Sequence, residues 1–437
     1  HNRYMIKFFN TLSREIEEFQ PIKKGHVGLY SCGPTVYNYA HIGNWRALVF
    51  VDLLKRYLVY SGLKVKHVMN ITDVDDKIIR ESQKEGKTLK EFTDFYTDAF
   101  LKDMEDLNIQ RSDEMPKATE CVDEMVRFIK KLQEKGCAYE SDGSIYFKIS
   151  KFEKYGALAR LKEQDLKQNA DGRLNDADEY DKEDVNDFVL WKAWKKEDGD
   201  NFWETELGKG RPGWHIECSV MSTKYLGESF DIHTGGVDLI FPHHTNEIAQ
   251  SEAATDKKFV NYWLHNSHLT VDGKKMSKSL GNFHTLRDLQ KKKRNNLLTR
   301  LILLKTHYRK VLDFSMDNYT EAESVAGKFL ELLINLEIAQ AEKSGLNIKD
   351  LIKKNRTEFK GAMDDDLNIS LALTHLFDFV NEINKEKISR EDAESIRAYL
   401  EEIDSVLGFI TPLYEQYKKR LHSLKENPEI KEIIEKR

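Results

Sequence analysis

The stretch VGLYSCGPTVYNYAHIGN, residues 27–44, decides the fold class of this chain. Its first six residues are apolar and rich in β-forming side chains, and the pair Gly33-Pro34 ends that run. A helical pattern follows over residues 45–60, and a second β-like run covers residues 64–70. A strand, a helix and a second strand in this order predict a βαβ unit, and therefore a parallel sheet that binds ligands at the carboxyl ends of its strands.

The rest of the chain changes its pattern several times. Residues 82–135 have apolar side chains at helical spacing, and a short β-like run follows at 144–149. From residue 141 to about residue 197 the pattern differs and includes the highly polar stretch 162–187, which predicts an insertion with a mobile loop. Residues 213–263 are again apolar and patterned. From residue 318 onward the periodicity is helical to the end. The sequence therefore predicts an α/β fold with an insertion, followed by a C-terminal α-helical bundle.

The composition is that of a soluble globular protein. Of 437 residues 40% are hydrophobic and 32% are charged, and the formal net charge is -6. No apolar stretch approaches the roughly 18 residues that a membrane-spanning helix needs, and the start lacks the apolar run of a secretory signal. We therefore expect a cytoplasmic protein with no membrane partner.

The basic clusters and the cysteines limit the kinds of binding site that the chain can have. Because the net charge is negative, any nucleic-acid contact must come from basic clusters, for which residues 291–294, 309–310 and 418–420 are candidates, although each is also compatible with an ordinary solvated helix face. The four cysteines form no CxxC pair. Reduced thiols are therefore expected, and a role of one or two of them as metal ligands or nucleophiles is left open.

Two motifs indicate nucleotide chemistry. His41, Gly43 and Asn44 lie where the first strand passes into its helix, and amide groups at a helix N-terminus bind phosphate. A histidine at this place is also compatible with a simple helix cap. The second motif, KMSKS at residues 275–279, places Lys275 and Lys278 on a loop, which suits a cationic clamp for a triphosphate or, equally, an exposed basic turn.

The two motifs in this order resemble the HIGH and KMSKS motifs of class I aminoacyl-tRNA synthetases, and longer stretches resemble the cysteinyl-tRNA synthetase family. The resemblance covers about residues 7–384 and is weakest in the polar insertion. The stretches that carry it are YSCGPTVYNYAHIGN from Tyr30, NITDVDDKII from Asn70, GKGRPGWHIECSVMS from Gly208, GGVDLIFPHHTNEIAQSEA from Gly235, KMSKSLGNF from Lys275 and AMDDDLNIS from Ala362.

The resemblance implies a zinc site. Cys32, Cys218, His243 and Glu247 match the zinc ligands of the family, one ion per chain, and their types suit zinc. From the residues alone, a helix starting at Pro242 would put His243 and Glu247, four apart, on one face. His244 is a further ligand candidate. A simple cavity separates cysteine from serine by only about 10- to 200-fold, whereas zinc strongly prefers a thiolate to a hydroxyl, so the metal would select the amino acid.

The resemblance also assigns the other site residues. Gly33, Thr72, Trp214 and Asp238 match positions that line the cysteine pocket, while a packing or capping role is also open for Trp214 and Asp238. His41, Gly43, Asn44, Lys275 and Lys278 match the ATP contacts, and magnesium should accompany the nucleotide. The implied reaction forms cysteinyl-adenylate from L-cysteine and ATP and then transfers the cysteinyl group to tRNA(Cys).

The implied organisation has five regions, in a chain that we expect to be monomeric. Residues 1–120 and 198–265 would be the two halves of a Rossmann-like catalytic domain, the second with the zinc site. Residues 121–197 would be a connective insertion, residues 266–315 the KMSKS loop with a stem-contact region, and residues 316–437 a helical anticodon-binding domain.

Two residues depart from the family pattern. Asn44 stands where a second histidine is usual and cannot become cationic, so its contribution to the rate is open. Thr245 replaces a common glutamate but is not itself a mapped ligand. Three alternatives remain: a paralogous ligase that passes cysteine to a small amino sugar, a non-catalytic nucleotide- or RNA-binding relative, and a generic nucleotidyltransferase. A generic nucleotidyltransferase would not need four zinc ligands.

Overall fold

A computed structural model of the chain describes residues 6–161, 174–175, 186–277 and 280–426. Most of the predicted polar insertion, residues 162–187, and the lysine Lys278 lie outside the described residues. The chain divides into two compact units. The first unit comprises His1–Ala47, Gly62–Asp103 and Arg111–His268, and the second unit comprises Leu48–Ser61, Met104–Gln110 and Leu269–Arg437.

Strands and helices are numbered in chain order. The strands are β1 Lys7–Asn10, β2 Glu15–Glu18, β3 His26–Ser31, β4 Lys64–Met69, β5 Ala138–Ser141, β6 Ser144–Phe147, β7 Leu174–Asn175, β8 Asp187–Ala193, β9 Trp203–Thr205, β10 Gly208–Pro212, β11 Phe230–Gly236, β12 Val260–Asn266, β13 Leu269–Val271, β14 Lys274–Lys275 and β15 Leu312–Phe314. The α-helices are α1 Ile42–Tyr60, α2 Asp76–Lys84, α3 Leu89–Asp106, α4 Val122–Glu134, α5 Trp214–Leu226, α6 Thr245–Thr255, α7 Leu286–Lys291, α8 Asn296–Leu304, α9 Asn318–Glu337, α10 Ile348–Asp364, α11 Ile369–Ile383, α12 Arg390–Leu407 and α13 Ile410–Glu426.

A parallel sheet of four strands, in the order β12-β11-β3-β4, forms the centre of the first unit. Its strands are built from buried apolar side chains such as Leu29 and Ile232, which face each other in register. The predicted strands at residues 27–32 and 64–70 correspond to β3 and β4. Since parallel strands present their carboxyl ends at one edge, the loops after β3 and β4 and the end of β11 come together.

A second sheet of the first unit lies between the two halves of the parallel sheet in sequence. Its strands run in the order β5-β6-β8-β10-β9 with antiparallel neighbours, and β7 pairs with β8. The predicted strand at 144–149 corresponds to β6, which ends two residues earlier. The boundaries of the proposed connective insertion remain predictions.

The predicted helical stretch of residues 82–135 is interrupted in the structure. Helices α2, α3 and α4 cover much of this range, but residues 107–117 after α3 are not helical, and a 3-10 turn at Ala118–Cys121 leads into α4. There the amide of Ile71 donates to the carbonyl of Pro116 at 2.8 Å, and the amide of Met69 donates to that of Glu114 at 3.1 Å. Pro116 cannot continue a helix, so this segment instead runs beside the end of β4.

The second unit contains the predicted helical tail, which begins at Asn318 as α9. The side chains of Asn347, Asn368 and Ser389 accept amide hydrogens at the starts of α10, α11 and α12, which is the ordinary way in which such residues begin a helix. Gly408, with φ 69°, ends α12 in the left-handed conformation that glycine permits. The helices and the parallel sheet confirm the predicted fold class. Within the described residues, no helix combines the length and the apolar character needed to cross a membrane.

Candidate metal and cysteine site

Four of the predicted site residues come together at the carboxyl edge of the parallel sheet. The Sγ atoms of Cys32 and Cys218 are 4.0 Å apart, and Cys32 Sγ lies 3.9 Å from Glu247 Oε1. His243 Nε2 lies 3.1 Å from the same carboxylate oxygen. The four ligand atoms all lie within 4.8 Å of one another, and the side chains are buried or, for Cys32, half-buried.

Three chain segments deliver these side chains. Cys32 directly follows β3, and Cys218 lies in α5, whose start is marked by the extended residue Gly213. His243 and Glu247 lie on one helical face, as expected, but the helix does not begin simply at Pro242. Residues 240–244 form a π turn interrupted by the extended Phe241, and α6 begins at Thr245. The interruption lets both histidines of the HH pair enter the site.

A second group of possible ligands shares two members with the first. Cys32, His233, His244 and Glu247 also lie within 4.8 Å of one another through one ligand atom each. His233 Nε2 is 2.8 Å from Glu247 Oε2, and His244 Nε2 is 3.3 Å from Cys32 Sγ. The sequence argument named His244 as a further candidate but missed His233. The only local signal for His233 is a histidine inside the buried run of β11.

Hydrogen bonds orient the histidines. His244 Nδ1 lies 2.7 Å from His265 Nε2, and His265 Nδ1 lies 2.7 Å from Thr11 Oγ1. His243 Nδ1 lies 2.9 Å from His215 Nδ1, and the ring of Trp214 stacks on His243 with centroids 4.1 Å apart. Each ring nitrogen that faces away from the ligand cluster is therefore engaged, as is usual around metal-binding histidines.

The electrostatics of the cluster favour the charged forms of Cys218, His243 and Glu247, but the neutral thiol of Cys32. Burial lowers the pKa of His243, but Cys218 and Glu247 outweigh it and raise that pKa to about 10. Burial raises the pKa of Glu247, whereas His233 and His243 pull it down to about 2. For Cys218, burial also raises the pKa, and the hydrogen bond with Cys32 together with His243 lowers it to about 6. Burial and the neighbouring Cys218 raise the pKa of Cys32.

This donor set fits a zinc ion. Two thiols, an imidazole and a carboxylate are the ligand types that zinc takes in proteins. Cys32, Cys218, His243 and Glu247 could hold such an ion, and so could the second group with His233 and His244. All four cysteines of the chain are free thiols, so none of the ligands is consumed in a disulfide.

The predicted cysteine-pocket residues take different positions around this cluster. Gly33 follows Cys32, and a Cβ atom built on it would overlap the backbone oxygen of Asn70, so only glycine fits there. Thr72 is buried and donates to Glu217 Oε2 at 2.7 Å. Trp214 is half-buried against His243, and Asp238 is exposed just after β11.

The predicted ATP residues of the first motif form a reciprocal helix cap. The amides of Gly43 and Asn44 lie 3.1 and 3.3 Å from His41 Nδ1, and the amide of His41 donates to Asn44 Oδ1 at 3.0 Å. Both side chains thus satisfy amides at the start of α1. In the second motif Lys275 is exposed on β14, and Lys278 lies outside the described residues.

Known proteins and family models match most of the chain. The family model of the class I tRNA synthetase (C) catalytic domain matches residues 18–324, and the model of the DALR domain matches residues 358–411. The cysteine–tRNA ligase of Brachyspira hyodysenteriae is 49% identical over 409 residues, which cover 92% of this chain and 86% of that protein. The chain belongs to the cysteine–tRNA ligase family. It is therefore a class I aminoacyl-tRNA synthetase by family, as the motifs predicted.

Further relatives agree with this assignment. The cysteine–tRNA ligase of Protochlamydia amoebophila is 47% identical over 412 residues, covering 93% of this chain and 86% of that protein. Among solved structures, the methionyl-tRNA synthetase of Mycobacterium tuberculosis has a TM-score of 0.65 at 13% identity, covering 92% of this chain and 94% of that one. At this identity the likeness supports the fold alone.

Proposed function

We propose that this chain activates L-cysteine with ATP and transfers the cysteinyl group to the 3′ end of tRNA(Cys). One observation carries the proposal: within a chain of the cysteine–tRNA ligase family, Cys32, Cys218, His243 and Glu247 form a buried cluster at the carboxyl edge of the parallel sheet. This edge is where parallel α/β sheets bind their ligands.

We propose zinc as the resident ion and Cys32, Cys218, His243 and Glu247 as its ligands. When bound, the ion would supply a soft Lewis acid for the thiolate of the substrate, which favours cysteine over serine. The protein residues around it complete the pocket: Gly33, Thr72, Trp214 and Asp238 would contact the remainder of the amino acid. The stacking of Trp214 on His243 supports this assignment.

We propose that His41, Gly43 and Asn44 bind ATP at the start of α1, and that Lys275 and Lys278 stabilise the charge that develops on the phosphates. His41 Nδ1 accepts amide hydrogens, so in a neutral ring the proton sits on Nε2, which would be the donor to phosphate. Magnesium would accompany the nucleotide.

We propose the helical region after residue 316 as the part that reads the anticodon, with residues 266–315 carrying the KMSKS loop and the stem contact. The match of the DALR domain model to residues 358–411 supports a separate module there. The remaining boundaries at 120 and 197 for the connective insertion are part of the same proposal. We further propose a monomer that works in the cytoplasm, where tRNA and ATP are found.

Exchange of labelled pyrophosphate into ATP and charging of tRNA test the proposal together. Exchange should depend on cysteine and not on serine, and purified tRNA(Cys) should accept labelled cysteine. Exchange without charging of tRNA, but with transfer to an amino sugar, would identify the paralogous ligase. Absence of any cysteine-dependent exchange would identify a non-catalytic relative. Light scattering would contradict the monomer if it gave twice the mass of one chain.

A further inference from the structure

We propose that Asn70 is the positioning residue that holds the predicted metal ligands and the predicted cysteine-pocket residues at a set distance from each other. The inference rests on the proposed function, and it assigns a role in cysteine specificity to a residue that the motif arguments left unused. Asn70 follows β4 directly and is buried, with 1% of its surface exposed.

The side-chain amide of Asn70 is engaged on both sides. Its Oδ1 accepts hydrogen bonds from the Gly33 amide at 2.9 Å and from the Tyr30 hydroxyl at 3.1 Å. Its Nδ2 donates to Thr72 Oγ1 at 3.1 Å. The Gly33 amide can only donate, so the amide group of Asn70 has one workable orientation, with Oδ1 toward Gly33.

The same side chain also reaches the metal cluster. Cys218 Sγ lies 3.7 Å from Asn70 Oδ1. From Thr72 the chain of hydrogen bonds continues to Glu217 Oε2 at 2.7 Å, and Glu217 is the residue before Cys218 in α5. Asn70 and Thr72 therefore contact α5 at two adjacent residues, one of which is a predicted ligand.

The backbone of Asn70 adds a steric constraint to these bonds. A Cβ atom on Gly33 would overlap the Asn70 carbonyl oxygen, so the loop that carries Cys32 and Gly33 lies directly against Asn70. Three segments meet on this one residue: the loop after β3, the loop after β4 and helix α5. The loop after β3 carries the predicted ligand Cys32 and the predicted pocket residue Gly33. The loop after β4 carries the predicted pocket residue Thr72, and α5 carries the predicted ligand Cys218.

The consequence is geometric. A cysteine substrate has to place its sulfur on the metal while Gly33 and Thr72 contact the rest of the molecule, and both must be satisfied at once. Asn70 connects the segments that carry the predicted metal ligands to those that carry the predicted pocket residues. Its loss should therefore let the distance between ligands and pocket residues vary. Cysteine binding should then weaken while ATP binding stays the same.

The test compares variants of the whole chain by pyrophosphate exchange. Asn70→Ala should raise KM for cysteine by about tenfold or more, the usual scale for unpairing a buried polar network, with KM for ATP unchanged. Asn70→Asp keeps the shape of the side chain. It therefore provides the test if Asn70→Ala does not fold. It replaces the donor to Thr72 by a second carboxylate oxygen, so it should raise KM for cysteine as well. Both variants should retain zinc by metal analysis.

Asn355 in the second unit provides a matched control. It is also buried, its Oδ1 accepts from the Tyr399 hydroxyl at 2.6 Å, and its Nδ2 donates to the His375 carbonyl at 2.7 Å. Asn355→Ala should reduce thermal stability without changing KM for cysteine.

A double variant tests the chain of contacts itself. Combining Asn70→Ala with Thr72→Val should raise KM for cysteine by less than the product of the two single effects, because the two changes share one hydrogen bond. The inference is overturned if active Asn70 variants keep KM for cysteine within twofold of the parent, or if KM for ATP rises in parallel. If the unmodified chain has no cysteine-dependent exchange, the proposed function fails and this inference with it.

Discussion

Cys218 distinguishes the two possible ligand sets, because it belongs, like His243, only to the first set. Cys218→Ala should remove stoichiometric zinc, since a thiolate ligand and its paired charge are lost. The preference for cysteine over serine should then fall to the range of about 10- to 200-fold that a simple cavity gives. Metal analysis and exchange with each amino acid measure both effects.

His244 provides the matching control for that experiment. It contacts Cys32 at 3.3 Å but belongs only to the second set. His244→Asn should therefore keep one zinc ion per chain. Zinc retained in Cys218→Ala and lost in His244→Asn would show that the ion uses the second set, with His233 and His244 as ligands.

Gly33 is a position where a single methyl group should damage the site. Gly33→Ala places a Cβ atom onto the carbonyl oxygen of Asn70, and backbone cannot move aside as a flexible side chain can. We expect lower thermal stability and a higher KM for cysteine. Gly327→Ala in α9 is the control, because nothing lies within 4 Å of its added Cβ; it should stabilise the protein by about 1 kcal/mol. Equal effects of the two changes on KM would contradict the steric argument.

At the scale of elements, helix α1 explains how asparagine can stand at the second histidine position of the motif. Asn44 Oδ1 accepts from the His41 amide, and His41 Nδ1 accepts from the amides of Gly43 and Asn44. The pair forms a reciprocal cap, and a cationic side chain is not required for it.

Removal of the cap should cost stability in a measurable way. Asn44→Ala should destabilise the protein by about 1 kcal/mol, the usual cost of a lost helix cap, and raise KM for ATP. Asn44→Asp retains the acceptor and should restore the stability, but its charge faces the proposed phosphate site and should keep KM for ATP high. Thermal unfolding and exchange kinetics separate the two effects. Full stability in Asn44→Ala would mean that the cap contributes nothing.

At the scale of the whole molecule, the two compact units contain different kinds of buried charge. The first unit holds the predicted metal cluster. The second unit holds Asp52, whose Oδ2 accepts from Arg56 Nε at 2.7 Å and from Arg300 Nη2 at 2.5 Å. Arg300 also donates to the carbonyl of Leu407, so this cluster joins the second half of α1, α8 and the end of α12.

These clusters should respond to different treatments. Asp52→Ala leaves two arginines buried without their carboxylate and should destabilise the second unit by about 3–5 kcal/mol, without loss of zinc. Chelation of the metal should instead lower the stability of the first unit. Hydrogen exchange of peptides from each unit distinguishes the two. Glu394→Ala, which breaks the exposed Arg390–Glu394 pair, should change neither. If chelation reduced protection from hydrogen exchange in both units, the prediction of separate responses would be wrong.

Local sequence signals predicted the elements and the class of fold. The β-like runs at residues 27–32 and 64–70 and the helical periodicity from residue 318 depend on neighbouring residues, and the structure has β3, β4 and α9 in those places. The interruption around Pro116 was missed because the helical pattern on both sides is strong. The predicted family was confirmed, because its long motifs leave few alternatives.

Tertiary structure alone decided which side chains meet. Cys32 and Cys218 are 186 residues apart, and no local pattern encodes the 4.0 Å between their sulfur atoms. That distance follows from the register of β3 with β11 and from the packing of α5, as do the entry of His233 into the cluster and the engagement of Asn70 by three segments. Local sequence specifies the types of the candidate ligands and the strand that precedes Cys32. Their arrangement required the sheet, because parallel strands bring the ends of distant segments to one edge.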